Sequence, residues 1–405
     1  MKEPKIRFKG FSGEWKKVKL GGIGSWTKGK LLSKDNISEA GIFKCIHYGE
    51  LFTMYDEIIY QVFSKTDLNN GCLSQIGDIL FPDSDVTPTG LARCSSIMET
   101  GVILGGGILI LRPLPQYYSP FISLSVNNEK QQIISRITGT TVRHINATSL
   151  SEIEIVYTEN IAEQQSIASF FTSLDAQISA STSHLVSLKQ MKAASLQTMF
   201  PQEGETVPKV RFRGFEGEWK KVKLGEIGSW SKGKLLSKDN ISKTGKFKCI
   251  HYGELFTMYD EIIYQVFSKT DLNNGCLSQI GDILFPDSDV TPTGLARCSS
   301  IMETGVILGG GILILRPLPQ YYSPFISLSV NNEKQQIISR ITGTTVRHIN
   351  ATSLGEIEIV CTENIAEQQS IASFFTSLDR QIALHAKRLE KLKQIKAACL
   401  DKMFV

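Results

Sequence analysis

The chain has 405 residues, of which 41% are hydrophobic and 21% charged. That balance excludes an extensively disordered chain and is large enough for two or more cores. The net charge of +4 permits nucleic-acid binding without arguing for it, because a local basic patch counts for more than the sum.

From Phe8 to Leu150 the pattern is one of short strand-like runs between turn residues. Asp78-Ile79-Leu80-Phe81 precedes Pro82, Val102-Ile103-Leu104 precedes three glycines, and Ile108-Leu109-Ile110-Leu111 precedes Arg112-Pro113. Gly105-Gly106-Gly107 has no following Lys and helix, so it reads as a sharp bend between strands rather than a phosphate loop. Ser119-Pro120 is read as an N-cap and first helical residue, opening one or two helices that carry Phe121, Leu124, Ile133, Ile134 and Ile137. Glu152 to Val156 alternates with a period of two, as a half-buried strand does.

At Asn160 the period changes. Asn160-Ile161-Ala162-Glu163 has capping-box spacing. Ile167, Phe171, Leu174, Ile178, Leu185, Leu188 and Met199 then follow on alternating steps of four and three, as in a coiled-coil seam. A helix of roughly 40 residues would be about 60 Å long. An amphipathic helix lying on its own domain is the alternative.

Residues 5–200 recur at 209–404, and Phe43 through Leu150 returns unchanged as Phe247 through Leu354, a run of 108 residues. The unit is far longer than a solenoid repeat, so the chain should hold two whole domains with a pseudo-two-fold relation, which suits a two-fold target such as duplex DNA. The second seam, Ile371, Phe375, Leu378, Ile382, Leu389, Leu392 and Met403, keeps the frame of the first. Both seams are interrupted, at Ser181 and His385 and again at Lys192 and Lys396. Differences between the copies concentrate in these helices, where Ser179 to His184 corresponds to Ala383 to Arg388. Helices that pack on each other need complementary faces, not identical ones. A polar linker, Pro201 to Pro208, separates the copies.

The eight cysteines include no C-x-x-C pair, and Tyr157 stands where the second copy has Cys361. Reduced thiols and a cytoplasmic location are therefore expected. The start of the chain leads into no apolar signal core, and the longest apolar run, near Gly101 to Leu111, is too short to span a bilayer.

Each copy carries Phe11-Ser12-Gly13-Glu14-Trp15 with Lys19-Leu20-Gly21, or close equivalents, near its start. Gly77-Asp78-Ile79-Leu80-Phe81 stands in the middle, Thr138-Gly139-Thr140-Thr141 before the last strand, and Glu163-Gln164-Gln165-Ser166-Ile167-Ala168 at the helix start. Weak singly, this ordered set resembles the specificity subunit of type I restriction-modification systems over nearly the whole chain. The resemblance implies an α+β fold, with two pseudo-two-fold-related globular target-recognition domains separated by two long antiparallel coiled-coil helices. Residues 1–159 would form the first recognition domain, 160–200 the first spacer helix, 201–208 the linker, 209–363 the second domain and 364–405 the second helix.

It further implies that double-stranded DNA is bound, each domain reading half of a bipartite target. Two adenine-methylating modification subunits and two ATP-driven restriction subunits would be the partners. S-adenosylmethionine, ATP and magnesium would sit on those partners and none on this chain, which has neither a G-x-x-x-x-G-K-[ST] loop nor an Asn/Asp-Pro-Pro-aromatic motif. A non-catalytic subunit is expected. A solitary DNA-binding protein or antirestriction decoy is the alternative. The chain departs from the family in the near-identity of its two domains, from which an interrupted palindrome is expected as the target.

Four segments are candidates for contact with DNA. Lys28, Lys30 and Lys34 lie in a basic loop after a strand-like run and could meet phosphates. His47 and Tyr48 lie where the family often places contacts. Ser84, Thr87 and Thr89, with Arg93 beyond them, can donate to phosphate or base edges, and a neighbouring Asp can accept from a cytosine amino group. Asp83 and Asp85 are not followed by the Glu-x-Lys of a metal-dependent nuclease. Arg143 has forked donors for guanine or phosphate, with Thr140, Thr141 and His144 in reach of backbone oxygens. The second copy supplies Lys232, Lys234, Lys238, His251, Tyr252, Ser288, Thr291, Thr293, Arg297, Thr344, Thr345, Arg347 and His348. A solvated loop, core packing and a capped turn are the structural alternatives at these places.

Overall fold

The computed structural model describes residues 3–404. The chain divides into two compact units, one running up to Thr182 and resuming at Lys387, the other Ser183–Ala386. Each unit holds one globular domain, the first part of that domain's own long helix and the last part of the other copy's helix.

In the first unit a five-stranded sheet has the order Gly24–Lys28, Ile108–Pro113, Ile79–Pro82, Ser95–Ile97, Ile58–Ile59. Strand Ile79–Pro82 and the run Ile108–Leu111 are apolar at every position because both faces are covered. Ile79, Phe81, Leu109 and Leu111 face one core with helix Ser119–Asn128, while Leu80, Ile108 and Ile110 face a second core behind a four-stranded sheet. That smaller sheet runs Lys65–Thr66, Phe43–Ile46, Ile103–Leu104, Cys72–Leu73. Gly105-Gly106-Gly107 carries the chain from one sheet to the other. Gly107 has φ +87, and a Cβ there would lie 2.8 Å from the Tyr48 ring, so the bend expected between strands is tight enough to need glycine. The last strand of the domain, Glu154–Tyr157, pairs antiparallel with Lys16–Lys19.

Several expected elements shift by a residue or two, each for a visible reason. Asp78 lies outside the strand that begins at Ile79: its fully buried carboxylate grips the Arg112 guanidinium at 2.7 and 2.8 Å and accepts the Gln75 N–H. Helix Ser119–Asn128 already includes Ser119 as its first residue, and Tyr118 occupies the cap position, its N–H donating to Gln164 Oε1. Ser119 is therefore not the N-cap. The capping box at Asn160 is half realised. The Asn160 side chain accepts the Ala162 and Glu163 N–H groups, but Glu163 does not reach back. Its buried carboxylate instead binds Arg7 through two hydrogen bonds of 2.6 and 2.8 Å, while Arg7 also donates to the carbonyls of Ser12 and Gly13. The motifs near the chain start and at the helix start thus form one lock, which explains their pairing in the sequence.

The long helices are Ile161–Met199 and Ile365–Met403. Within the first unit Lys396 meets Asp175 and Phe404 packs on Phe171; within the second Lys192 meets Asp379 and His184 packs on His385. Later residues of one helix meet earlier residues of the other, so the pair is antiparallel. The seam does double duty. Ile167, Ala168 and Phe171 belong to the core of their own domain, and Met403 and Phe404 complete that core from the other copy, Phe404 stacking on Phe121 at 5.5 Å and meeting Trp15 at 6.0 Å.

The second unit repeats this plan, with Met199 and Phe200 in the core beside Trp219, Phe325 and Phe375. The linker lies ordered on this domain, with Pro201 and Pro208 buried and the Trp219 N–H donating to the Thr206 carbonyl. All eight cysteines are free thiols, and no helix among the described residues is long and apolar enough to cross a membrane.

Candidate nucleic-acid interface

All four candidate segments contribute to the lining of one concavity in each domain. In the first it measures about 410 Å³ and is lined by Lys34, His47, Tyr48, Ser84, Asp85 and Val142, among others. In the second, of about 440 Å³, Lys238, His251, Tyr252, Ser288, Asp289 and Val346 stand in the same places. The local folding explains the convergence. Ser84–Asp85 pairs antiparallel with Arg143–His144, so two segments nearly 60 residues apart form one small ribbon. The Ile145 N–H donates to the Asp83 carbonyl, and the Asp83 N–H to the Gly107 carbonyl, tying that ribbon to the bend beneath Tyr48.

His47 and Tyr48 follow strand Phe43–Ile46 and lead into the short helix Glu50–Thr53. The His47 backbone N–H donates to Glu50 Oε2 at 2.6 Å, and its ring Nδ1 accepts the Gly49 N–H at 3.2 Å. The His47 and Tyr48 rings sit 4.3 Å apart. Burial pushes the His47 pKa down and Lys34 adds to that, while Glu50 opposes it. The neutral ring with its hydrogen on Nε2 is therefore favoured, presenting a donor for a base acceptor or a phosphate.

Thr87 is the N-cap of helix Pro88–Leu91, an element that the polar composition of this loop had concealed. Its hydroxyl donates to Asp85 Oδ2 at 2.6 Å and accepts the Gly90 N–H, so Thr87 is partly spent on local structure. Thr89 is exposed beside it, its hydroxyl 3.4 Å from that of Thr87. Lys28 pairs with Asp83 at 2.6 Å, joining the basic loop to the ribbon. Lys30 and Lys34 are exposed and make no ion pair among the described residues. Between them Leu31 and Leu32 hold φ of 56 and 40, strained values for branched residues; Leu32 is buried and Leu31 is 61% exposed.

Arg143 is half buried and donates through Nη1 to the Val86 carbonyl, which braces the ribbon and leaves its other donors uncommitted. Thr140 and Thr141 are exposed at the hairpin tip, which Gly139 (φ +92) closes. His144 is exposed and lies opposite Ser84. Arg93, unlike the other candidates, is turned into the domain, where its Nη2 donates to the Tyr55 carbonyl and its Nε is buried without a partner. The second copy repeats every one of these arrangements, with Lys232 on Asp287, Arg347 on Val290 and Arg297 on Tyr259. Lys234, Thr293, Thr344, Thr345 and His348 are exposed and Thr291 caps its helix. Val86, Val142 and Phe52 also line the concavity and were not among the residues singled out as contacts. Only their nearness in sequence to the candidates could have drawn attention to them.

The family of type I restriction-modification DNA specificity domains matches residues 12–190 and again 216–394. The chain therefore belongs to the family of type I specificity subunits, which are non-catalytic DNA-recognition subunits. A Mycoplasma pneumoniae protein named as a type I specificity subunit is 20% identical over 404 residues, covering 99% of this chain and 98% of its own. A Mycoplasma genitalium protein of the same description is 20% identical over 297 residues, covering 70% of each. The crystal structure of the S subunit of a type I restriction-modification system from M. genitalium shares the fold, with a TM-score of 0.69 at 17% identity, over 100% of this chain and 99% of that one.

Proposed function

We propose that each domain reads one half of a bipartite DNA target through the face that carries the concavity, and that the two halves are inverted copies of one sequence. The observation that carries this reading is the unchanged run Phe43–Leu150 and Phe247–Leu354, which includes every candidate contact except the lysines of the basic loop. Those lysines recur as Lys232, Lys234 and Lys238. Identical reading surfaces select identical half-sites. The lysines hold phosphates and set the register, while His47, Ser84, Asp85 and Arg143 offer donors and an acceptor to base edges. The antiparallel helices act as the ruler between half-sites.

In this reading the chain scaffolds two adenine-methylating modification subunits and two restriction subunits in the cytoplasm. S-adenosylmethionine, ATP and magnesium belong to those partners; nothing in this chain's own chemistry requires them. The test is to reconstitute the chain with its modification subunit and map methylated adenines by sequencing. Two inverted identical half-sites with a fixed unspecified spacer are expected, and an asymmetric bipartite motif would overturn the proposal.

A further inference from the structure

The lysines that break the apolar seam each bridge three parts of the protein. In the first unit Lys396, 19% exposed, contacts Asp175 Oδ1 on the facing helix at 2.8 Å and Glu57 Oε2 of the recognition domain at 3.1 Å. In the second unit Lys192, 18% exposed, contacts Asp379 at 2.7 Å and Glu261 at 3.0 Å. Glu57 sits on a rigid carrier. It precedes edge strand Ile58–Ile59, and its backbone carbonyl accepts the Ser96 N–H of the neighbouring strand. Two partly buried ammonium groups in the same seam position are expensive to place and useless for apolar packing, so their presence calls for a role other than stability. A polar residue at a single seam position is the device that fixes register and orientation in paired helices, at a cost in stability. A slipped register would part each ammonium from the carboxylates it now meets.

We propose that Lys192 and Lys396 are positioning residues for target spacing: each fixes, within its own unit, the register of the helix pair and the seat of the recognition domain on it. The inference rests on the bipartite reading above and names the groups that make its spacing sharp. Lysine serves because one flexible stem can satisfy carboxylates from two elements at once. The helix end that carries Lys396 comes from the other copy, so the seat of one domain depends on the register of both helices.

The experiment uses the full chain reconstituted with its modification subunit, and methylation of a DNA library in which the same half-sites are separated by every spacer length. The unaltered chain should prefer one spacer. K192M/K396M keeps the stem and removes the charge but leaves two partly buried carboxylates without a cation in each unit, so its Tm should fall. Assayed at a temperature where it is folded, it should methylate the same half-sites and lose at least tenfold of its discrimination between the best and the adjacent spacers. K192R/K396R should restore that discrimination. A spacer profile of K192M/K396M as sharp as that of the unaltered chain would overturn the proposal. Should K192M/K396M not fold, E57Q/E261Q decides, since it weakens only the contact to the recognition domain. The same broadening is expected, and an unchanged profile overturns the proposal. If the unaltered chain shows no spaced pair of half-sites at all, the bipartite reading itself is overturned.

Discussion

His47 accepts the Gly49 N–H at its ring Nδ1, so protonating the ring breaks that hydrogen bond as well as adding a charge to a partly buried site. Burial holds its pKa below the ordinary value, and the unfolded chain therefore binds the proton more readily. The stability contributed by the neutral ring is present above about pH 6.5 and is lost as pH falls through the lowered value. Discrimination between target and scrambled duplex, measured by fluorescence anisotropy, depends on the folded ring and should accordingly persist through about pH 6.5 and fall only as pH drops further, through the lowered value, while non-specific affinity rises with the added charge. H47A/H251A should remove that pH dependence. Gly139 gives a test of the hairpin: a Cβ there would stand 2.4 Å from the Val142 carbonyl oxygen in a backbone of φ +92. G139A/G343A should strain the tip by about 1–3 kcal/mol and weaken DNA binding. The Tm should fall by about 2–4 °C per kcal/mol of that strain, with both cores left intact because the tip is exposed and outside them.

At the scale of elements, the ends of the long helices are core material. Phe404 packs among Trp15, Phe121 and Phe171 in the first unit, and Phe200 among Trp219, Phe325 and Phe375 in the second. Removing either ring should cost about 3–5 kcal/mol of stability, as for other buried phenylalanines. The location of the damage is the sharper test. By hydrogen exchange, F404A should deprotect peptides around Trp15 and Phe121, far from it in sequence, and leave those around Trp219 and Phe325 protected; F200A should do the reverse. Loss of protection confined to the mutated helix in either variant would show that the helix end is dispensable to the domain it covers.

For the whole molecule, helix length should translate into spacer length. Adding one heptad after Leu185 and another after Leu389 keeps the apolar frame and lengthens each helix by roughly 10 Å. With about 3.4 Å per base pair, the preferred spacer should grow by about three pairs, if the added rotation about the duplex is accommodated by its neighbours. Lengthening one helix alone should instead disrupt pairing. Methylation of the spacer library reads both outcomes. An unchanged preferred spacer in a folded, active, doubly extended variant would show that something other than these helices sets the distance.

The sequence by itself determined whatever depends on neighbours along the chain. The repeat, the central strands of the large sheet, the glycine bend and the two long helices all follow from periodicity and local backbone preference, which act over a turn or a strand. It also located the segments of the candidate interface, since glycines, hydroxyls and lysines between strands mark loops. What only the tertiary structure decided is which charges meet. Glu163 looked like half of a capping box and is the partner of Arg7; Arg93 looked like a reader and donates to Tyr55; Lys192 and Lys396 looked like flaws in a seam and prove to be bridges. The physical reason is range: a side-chain cation is satisfied by whichever carboxylate or carbonyl the fold brings within about 3 Å. For Lys396 that carboxylate lies 339 residues away in the chain.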